Sequence, residues 1–101
     1  KRTDRQCKQK IYDFNQLPPS RQSKEAPQMI KKYFGKTGEN VWVEAPFHCD
    51  YGWNIEVGEN FYSNYNLTIL DVGKVTCGKN VQIAPNVSIY TAGHPGSSGQ
   101  P

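Results

Sequence analysis

From Val41 onward, apolar side chains return every six residues, a spacing that neither an amphipathic helix nor a β-hairpin produces. Ile55, Phe61 and Leu67 form one run, and Cys77, Ile83 and Ile89 form another, with Val81 and Val87 keeping the same step on a second phase. Between the two runs the register slips by two residues. Continuing the step from Val57 and Ile69 leads to position 75, whereas the second run restarts at 77. Small or polar groups recur on the same beat as Gly58-Glu59-Asn60, Gly78-Lys79-Asn80 and Ala84-Pro85-Asn86. A chain cut into hexads wraps as a parallel β-solenoid, each hexad supplying one flat side and its turn with the aliphatic residue inward. Asn and Gly suit the corners because they tolerate positive φ. The rival architecture, an antiparallel β domain, would show period two instead.

Before residue 40 the pattern is helical. Cys7, Ile11 and Phe14 share one face, and Asn15 through Pro19 end that segment. Ser20 is a plausible N-cap for a second helix, in which Met29, Ile30, Tyr33 and Phe34 give the 3–4 spacing and Gly35 is the expected terminator. Pro27 falls inside that helix and is expected to kink it or delay its start. The expected organisation is a helical segment over residues 1–39, a partial solenoid over 40–95 and a polar tail over 96–101.

The chain has 101 residues, 36% of them hydrophobic, and a mean hydropathy of -0.75, so a large aliphatic core is not on offer. Repeats or contacts between copies would supply burial. No apolar run approaches the roughly 20 residues of a membrane span, and the polar, basic N-terminus has no apolar signal core. Cys7, Cys49 and Cys77 are odd in number and widely spaced, which indicates neither a disulfide framework nor a zinc site and fits a reducing cytoplasm. Residues 1–40 hold ten Lys/Arg against four Asp/Glu, and residues 41–101 hold two against five. A basic arm suggests nucleic acid, yet these charges are scattered and no DNA- or RNA-binding motif accompanies them. A solvated helical face is the expected role, with no nucleic-acid and no membrane partner.

Four stretches together carry a family resemblance: Asn40-Val41-Trp42-Val43-Glu44-Ala45-Pro46-Phe47, Cys49-Asp50-Tyr51-Gly52-Trp53-Asn54-Ile55, Gly58-Glu59-Asn60-Phe61-Tyr62-Ser63-Asn64 and Ala92-Gly93-His94-Pro95. They resemble the maltose and galactoside O-acetyltransferases, and the nodulation acetyltransferases are similar. The stretch Tyr12-Asp13-Phe14-Asn15 with Pro19-Ser20 also matches the N-terminal segment of that family. The resemblance implies a left-handed parallel β-helix, a homotrimer with active sites between subunits, acetyl-CoA as co-substrate, a sugar acceptor and no metal. The handedness comes from the resemblance, since right-handed crossovers are the general rule.

Acetyl transfer to a hydroxyl needs a base that takes the alcohol proton as oxygen attacks the thioester, and imidazole titrates near working pH. By resemblance that base is His94 in Gly93-His94-Pro95, and Asn64 lies beside the acetyl group, where a fixed amide stabilises the oxyanion. Asp50 matches a position that contacts the acceptor sugar, and its Cys-Asp-Tyr-Gly setting is closer to the maltose type than to the galactoside type. Asp71 lies near a second acceptor position, where the family often has two acidic residues in succession and this chain has Val72 second. Without the resemblance these residues would read as a surface histidine, a corner asparagine and solvated carboxylates.

His48-Cys49-Asp50 also suggests a cysteine nucleophile or a metal site. Neighbours on a strand point to opposite faces, however, and two ligands fall short of the three or four of a zinc site. Tyr51, Trp53, Tyr62 and Tyr65 could stack on a sugar ring, although aromatics in a small domain more often pack. After Pro95 the chain reads Gly96-Ser97-Ser98-Gly99-Gln100-Pro101, where the family continues into further coils that hold most of the coenzyme. A truncated product is therefore expected. The alternative to an acetyltransferase is a non-catalytic solenoid piece that serves as an assembly module.

Overall fold

A computed structural model describes residues 4–91 of the chain. Two helices, α1 (Asp4–Asn15) and α2 (Pro19–Tyr33), precede eight short strands. These are β1 (Val41–Val43), β2 (Phe47–Cys49), β3 (Ile55–Val57), β4 (Phe61–Ser63), β5 (Leu67–Leu70), β6 (Val75–Cys77), β7 (Gln82–Ile83) and β8 (Ser88–Tyr90). They stack into three parallel sheets ordered β1-β4-β7, β2-β5-β8 and β3-β6, the sides of a three-sided β-helix. Val41 pairs with Phe61, Phe47 with Leu67 and Ile55 with Val75, so each partner lies twenty residues on.

That step explains the slip in the hexad pattern. From β1 to β6 the strand starts are six residues apart at the narrow corners, but Phe47 to Ile55 and Leu67 to Val75 are each eight. One corner of each of the first two coils is therefore two residues wider than a hexad allows. Each side also turns two residues inward rather than one, as with Val41 and Val43, Ile55 and Val57, and Leu67 and Ile69, all buried. In the third coil Val81, Val87 and Ile89 are only partly buried.

From β3 onward the narrow corners are turned by asparagines. Asn60, Asn66, Asn80 and Asn86 adopt φ between 59° and 64°, a left-handed conformation that asparagine tolerates better than other side chains. Their amides also stack between coils. Asn40 Nδ2 donates to Asn60 Oδ1 at 3.1 Å, Asn60 Nδ2 to Asn80 Oδ1 at 2.9 Å and Asn66 Nδ2 to Asn86 Oδ1 at 3.0 Å.

The helices close the first coil. Phe47, wholly buried, packs edge-on to Phe14 of α1 at 6.4 Å and tilted against Phe34 at 5.7 Å. Asn15 acts toward β2 as a strand would: the Phe47 N–H donates to Asn15 Oδ1, and Asn15 Nδ2 donates to the Phe47 carbonyl, both at 2.9 Å. Residues 35 and 36 do the same for β3, with the Gly35 N–H donating to the Ile55 carbonyl and the Val57 N–H to the Lys36 carbonyl. Helices and coils share one apolar cluster.

Three local expectations differ. Helix α2 begins at Pro19 with Pro18 as N-cap and without a side-chain cap from Ser20, because proline already holds the φ of the first helical turn. The helix runs through Pro27 to Tyr33 without a delayed start, and the carbonyl that loses its i−4 partner belongs to exposed Ser23, within reach of water. The chain leaves α2 at Phe34, which is extended at φ −76° and ψ 154°. Gly35 serves close approach instead, since a Cβ there would collide with the Trp53 carbonyl.

Phe47 joins Phe14 of α1 and Phe34, the residue that follows α2, to the first coil, so Phe47→Ala is expected to destabilise the fold by about 3–5 kcal/mol. Urea unfolding followed by circular dichroism measures this, and a loss under about 1 kcal/mol would contradict the central position assigned to Phe47.

Candidate active site

The widened corner is where the chain departs from repeat geometry, and it carries Asp50 and Asp71. Asp50 follows β2 in the first coil, and Asp71 follows β5 directly below it. Asp71 is wholly buried. Its Oδ1 accepts the N–H of Asp50 at 3.1 Å and of Tyr51 at 2.9 Å, and its Oδ2 accepts the N–H of Gly52 at 2.8 Å and of Asn54 at 3.3 Å. Asn54 returns the contact, its Nδ2 donating to the carbonyls of Asp71 at 2.7 Å and Val72 at 3.1 Å. Gly52 takes φ +95°, which a side chain would strain, and its backbone lies close to the Tyr33 carbonyl. Beyond it the rings of Tyr51 and Trp53 stack at 5.0 Å.

Asp50 itself is only partly buried, so its carboxylate remains within reach of solvent. Val72 beside it is 49% exposed. In the third coil Thr91 ties onto the same corner, accepting the Gly73 N–H at 2.9 Å and donating to the Leu70 carbonyl at 2.7 Å. His94 lies three positions further along the chain, outside the described residues.

Asn64 does not join this cluster. It sits between β4 and β5, at the opposite edge of the β2-β5-β8 side. Its backbone N–H donates to the Ile83 carbonyl at 2.9 Å, and its Oδ1 accepts the Tyr65 N–H at 2.8 Å. With the oxygen engaged, the part of the side chain left to act on a ligand is the Nδ2 group, a donor. The structure thus brings Asp50 and Asp71 together and holds Asn64 apart from them across one side of the solenoid.

A groove of about 760 Å³ runs between α1 and β2, lined by Lys8, Tyr12, Asn15, Pro46, His48 and Cys49 among others. His48 is exposed, whereas its neighbour Cys49 turns toward the interior, as strand alternation requires. Among the described residues no three His, Cys, Asp or Glu side chains come together as a metal would need. Burial, and then the negative charge of Asp71, raise the Cys49 thiol well above the ordinary thiol range, with Cys7 and Asp50 adding to the shift. Such a thiol is a poor nucleophile. Reasoning from sequence missed Asn54 and Asn15, whose only signal was a polar residue at a corner and at a helix end.

No protein-family model matches the chain. It is 51% identical over 85 residues to the galactoside O-acetyltransferase of Escherichia coli K12, which covers 84% of this chain and 41% of that protein. Among solved structures, a maltose O-acetyltransferase from Clostridium difficile 630 superposes with a TM-score of 0.85 at 41% identity, covering 95% of this chain and 51% of the other. A galactoside acetyltransferase in complex with coenzyme A superposes with a TM-score of 0.85 at 46% identity, covering 92% and 46% respectively. The chain therefore spans about half the length of the proteins it matches.

Because Cys49 holds its proton more tightly when folded than when unfolded, its contribution to stability is intact below about pH 8.5, the unfolded thiol value, and erodes as pH rises above it. Thiol labelling at about pH 8 is expected to modify Cys49 far more slowly in the native protein than after unfolding. Labelling of the native protein at the rate of a free thiol would contradict the inward placement.

Proposed function

Over the residues it spans, the chain belongs to the hexapeptide-repeat acetyltransferases that include galactoside and maltose O-acetyltransferases, and on that premise we propose that the protein carries an acetyl group from acetyl-CoA to a sugar hydroxyl. The observation that carries the proposal is the superposition on a galactoside acetyltransferase solved with coenzyme A, at 46% identity over 92% of this chain. A left-handed parallel β-helix is the frame on which the candidate residues of this chain sit.

In the proposed reaction His94 takes the proton of the acceptor hydroxyl as its oxygen attacks the thioester carbonyl carbon. The C–S bond then breaks, and the imidazolium returns the proton to the departing thiolate. Asn64 offers its Nδ2 hydrogens to the carbonyl oxygen as charge gathers there, which suits a side chain whose own oxygen is already engaged. Asp50, with a carboxylate open to solvent, accepts hydrogen bonds from neighbouring sugar hydroxyls. Because a thioester is already an activated acyl donor, this assignment invokes no metal.

Asn64 and Asp50 lie at opposite edges of one side of the solenoid. A site assembled between copies of the chain, as in the proposed homotrimer, accommodates that separation. No helix among the described residues is long and apolar enough to cross a membrane. Cys49 and Cys77 are free thiols, which suits the reducing cytoplasm proposed as its location.

Two substitutions in the protein that carries this segment separate the roles. His94→Ala is expected to lower kcat by roughly 10²–10⁴ with little change in either KM, as loss of a general base does. Steady-state rates with acetyl-CoA and maltose, glucose or a galactoside measure this, and turnover within about threefold of the parent would remove His94 from the mechanism. Asp50→Ala is expected to raise KM for the sugar and leave KM for acetyl-CoA near its parental value. Equal effects on both substrates would show that Asp50 does not face the acceptor.

A further inference from the structure

Asp71 is the one wholly buried ionisable group among the described residues, and no step above uses it. Its four contacts are all to the backbone of residues 50, 51, 52 and 54. Two oxygens that each accept two N–H groups have little acceptor capacity left for a sugar hydroxyl, and the side chain presents no surface to one. The successive N–H groups of this loop converge on the carboxylate as amides of a turn converge on a bound anion. Gly52, at φ +95°, is what lets the third of them turn inward.

We infer that Asp71 is a positioning residue for acceptor recognition: it fixes the backbone of residues 50–54 and thereby the place where the Asp50 carboxylate meets the sugar. The inference rests on Asp50 facing the acceptor. The Asp50 N–H is itself among the four donors, so the hub reaches that residue's Cα through a single bond. Asn54 locks the far end of the loop onto the Asp71 and Val72 carbonyls, so the loop is held from both ends. Removing the charge frees the loop without touching the strands. In Asp71→Asn one oxygen becomes an NH₂ group, which then faces two backbone donors and accepts from neither.

The test uses the protein that carries this segment, with Asp71→Asn and Asp71→Ala compared in two assays. In steady-state kinetics Asp71→Asn is expected to raise KM for the sugar about tenfold or more, the loss of charge-assisted hydrogen bonds, with KM for acetyl-CoA within roughly twofold of the parent. In amide hydrogen exchange residues 50–54 are expected to lose protection while β4 and β5 keep theirs. Millimolar formate, small enough to replace the deleted carboxylate, is expected to restore both properties in Asp71→Ala.

A sugar KM near the parental value despite a loosened loop overturns the inference. So does an equal rise in both KM values, exchange that spreads through the strands, failure of formate to act, or an Asp71→Ala protein that stays unfolded in formate. Absence of any sugar acetylation by the unaltered protein sinks the acetyltransferase reading and this inference with it. A failed Asp71 series in an active protein sinks this inference alone.

Discussion

A parallel ladder with a fixed step of twenty residues constrains everything else in this chain. An inward side chain in a solenoid has no partner across a sheet sandwich, so it is buried by the residue one coil earlier and the residue one coil later. Any change of coil length would break that stacking unless the next coil repeated it. The widened corner obeys the rule: it appears after β2 and again after β5, so the sides stay in register. Because the two wide corners lie one above the other, the carboxylate of Asp71 falls beneath the amides of the loop from the coil before. Fold and candidate site therefore share one register.

The first coil needs a different solution, since no coil precedes it among the described residues to cover its apolar faces or pair its strand edge. Here the two helices supply both. Phe14 and Phe34 close over Phe47, and Asn15 offers a side-chain amide that copies the donor and acceptor of a neighbouring strand. The extended residues after α2 pair with β3 directly. What looks like a separate helical segment in the sequence is thus built into the same core as the coils.

The solenoid was legible because its signal is periodic and local. Six-residue spacing named the inward positions, and the slip of two residues marked the wide corner before its cause was visible. The helices were legible in type but not at their ends, since Pro18 and Pro19 start α2 where Ser20 offered the familiar cap. Asp71 shows the limit. As a letter in the sequence it is a carboxylate near Asp50 in a repeat, and sequence suggests that both meet the same ligand. Only the stacking of residue 71 against residues 50–54 shows its oxygens turned to backbone amides. Asn15 was hidden for the same reason, its partner lying thirty-two positions away. Asn64 and His94 came from resemblance, because nothing periodic distinguishes a reacting side chain from a corner residue.

The asparagine stacks at the narrow corners give the molecule a chemical lifetime as well as a shape. In each pair the amide nitrogen donates downward and the oxygen receives from above, so the side chains run head to tail from Asn40 through Asn60 to Asn80. Asparagine is among the thermolabile residues, and hydrolysis of its side chain with heat and time replaces the nitrogen by a second oxygen. At Asn60 that change would set a carboxylate against the oxygen of Asn80, acceptor facing acceptor. The damage would be a single atom's, yet it would fall on the contact that joins two coils. Deamidation at such a corner would weaken the joint between two coils while leaving the apolar core as it was.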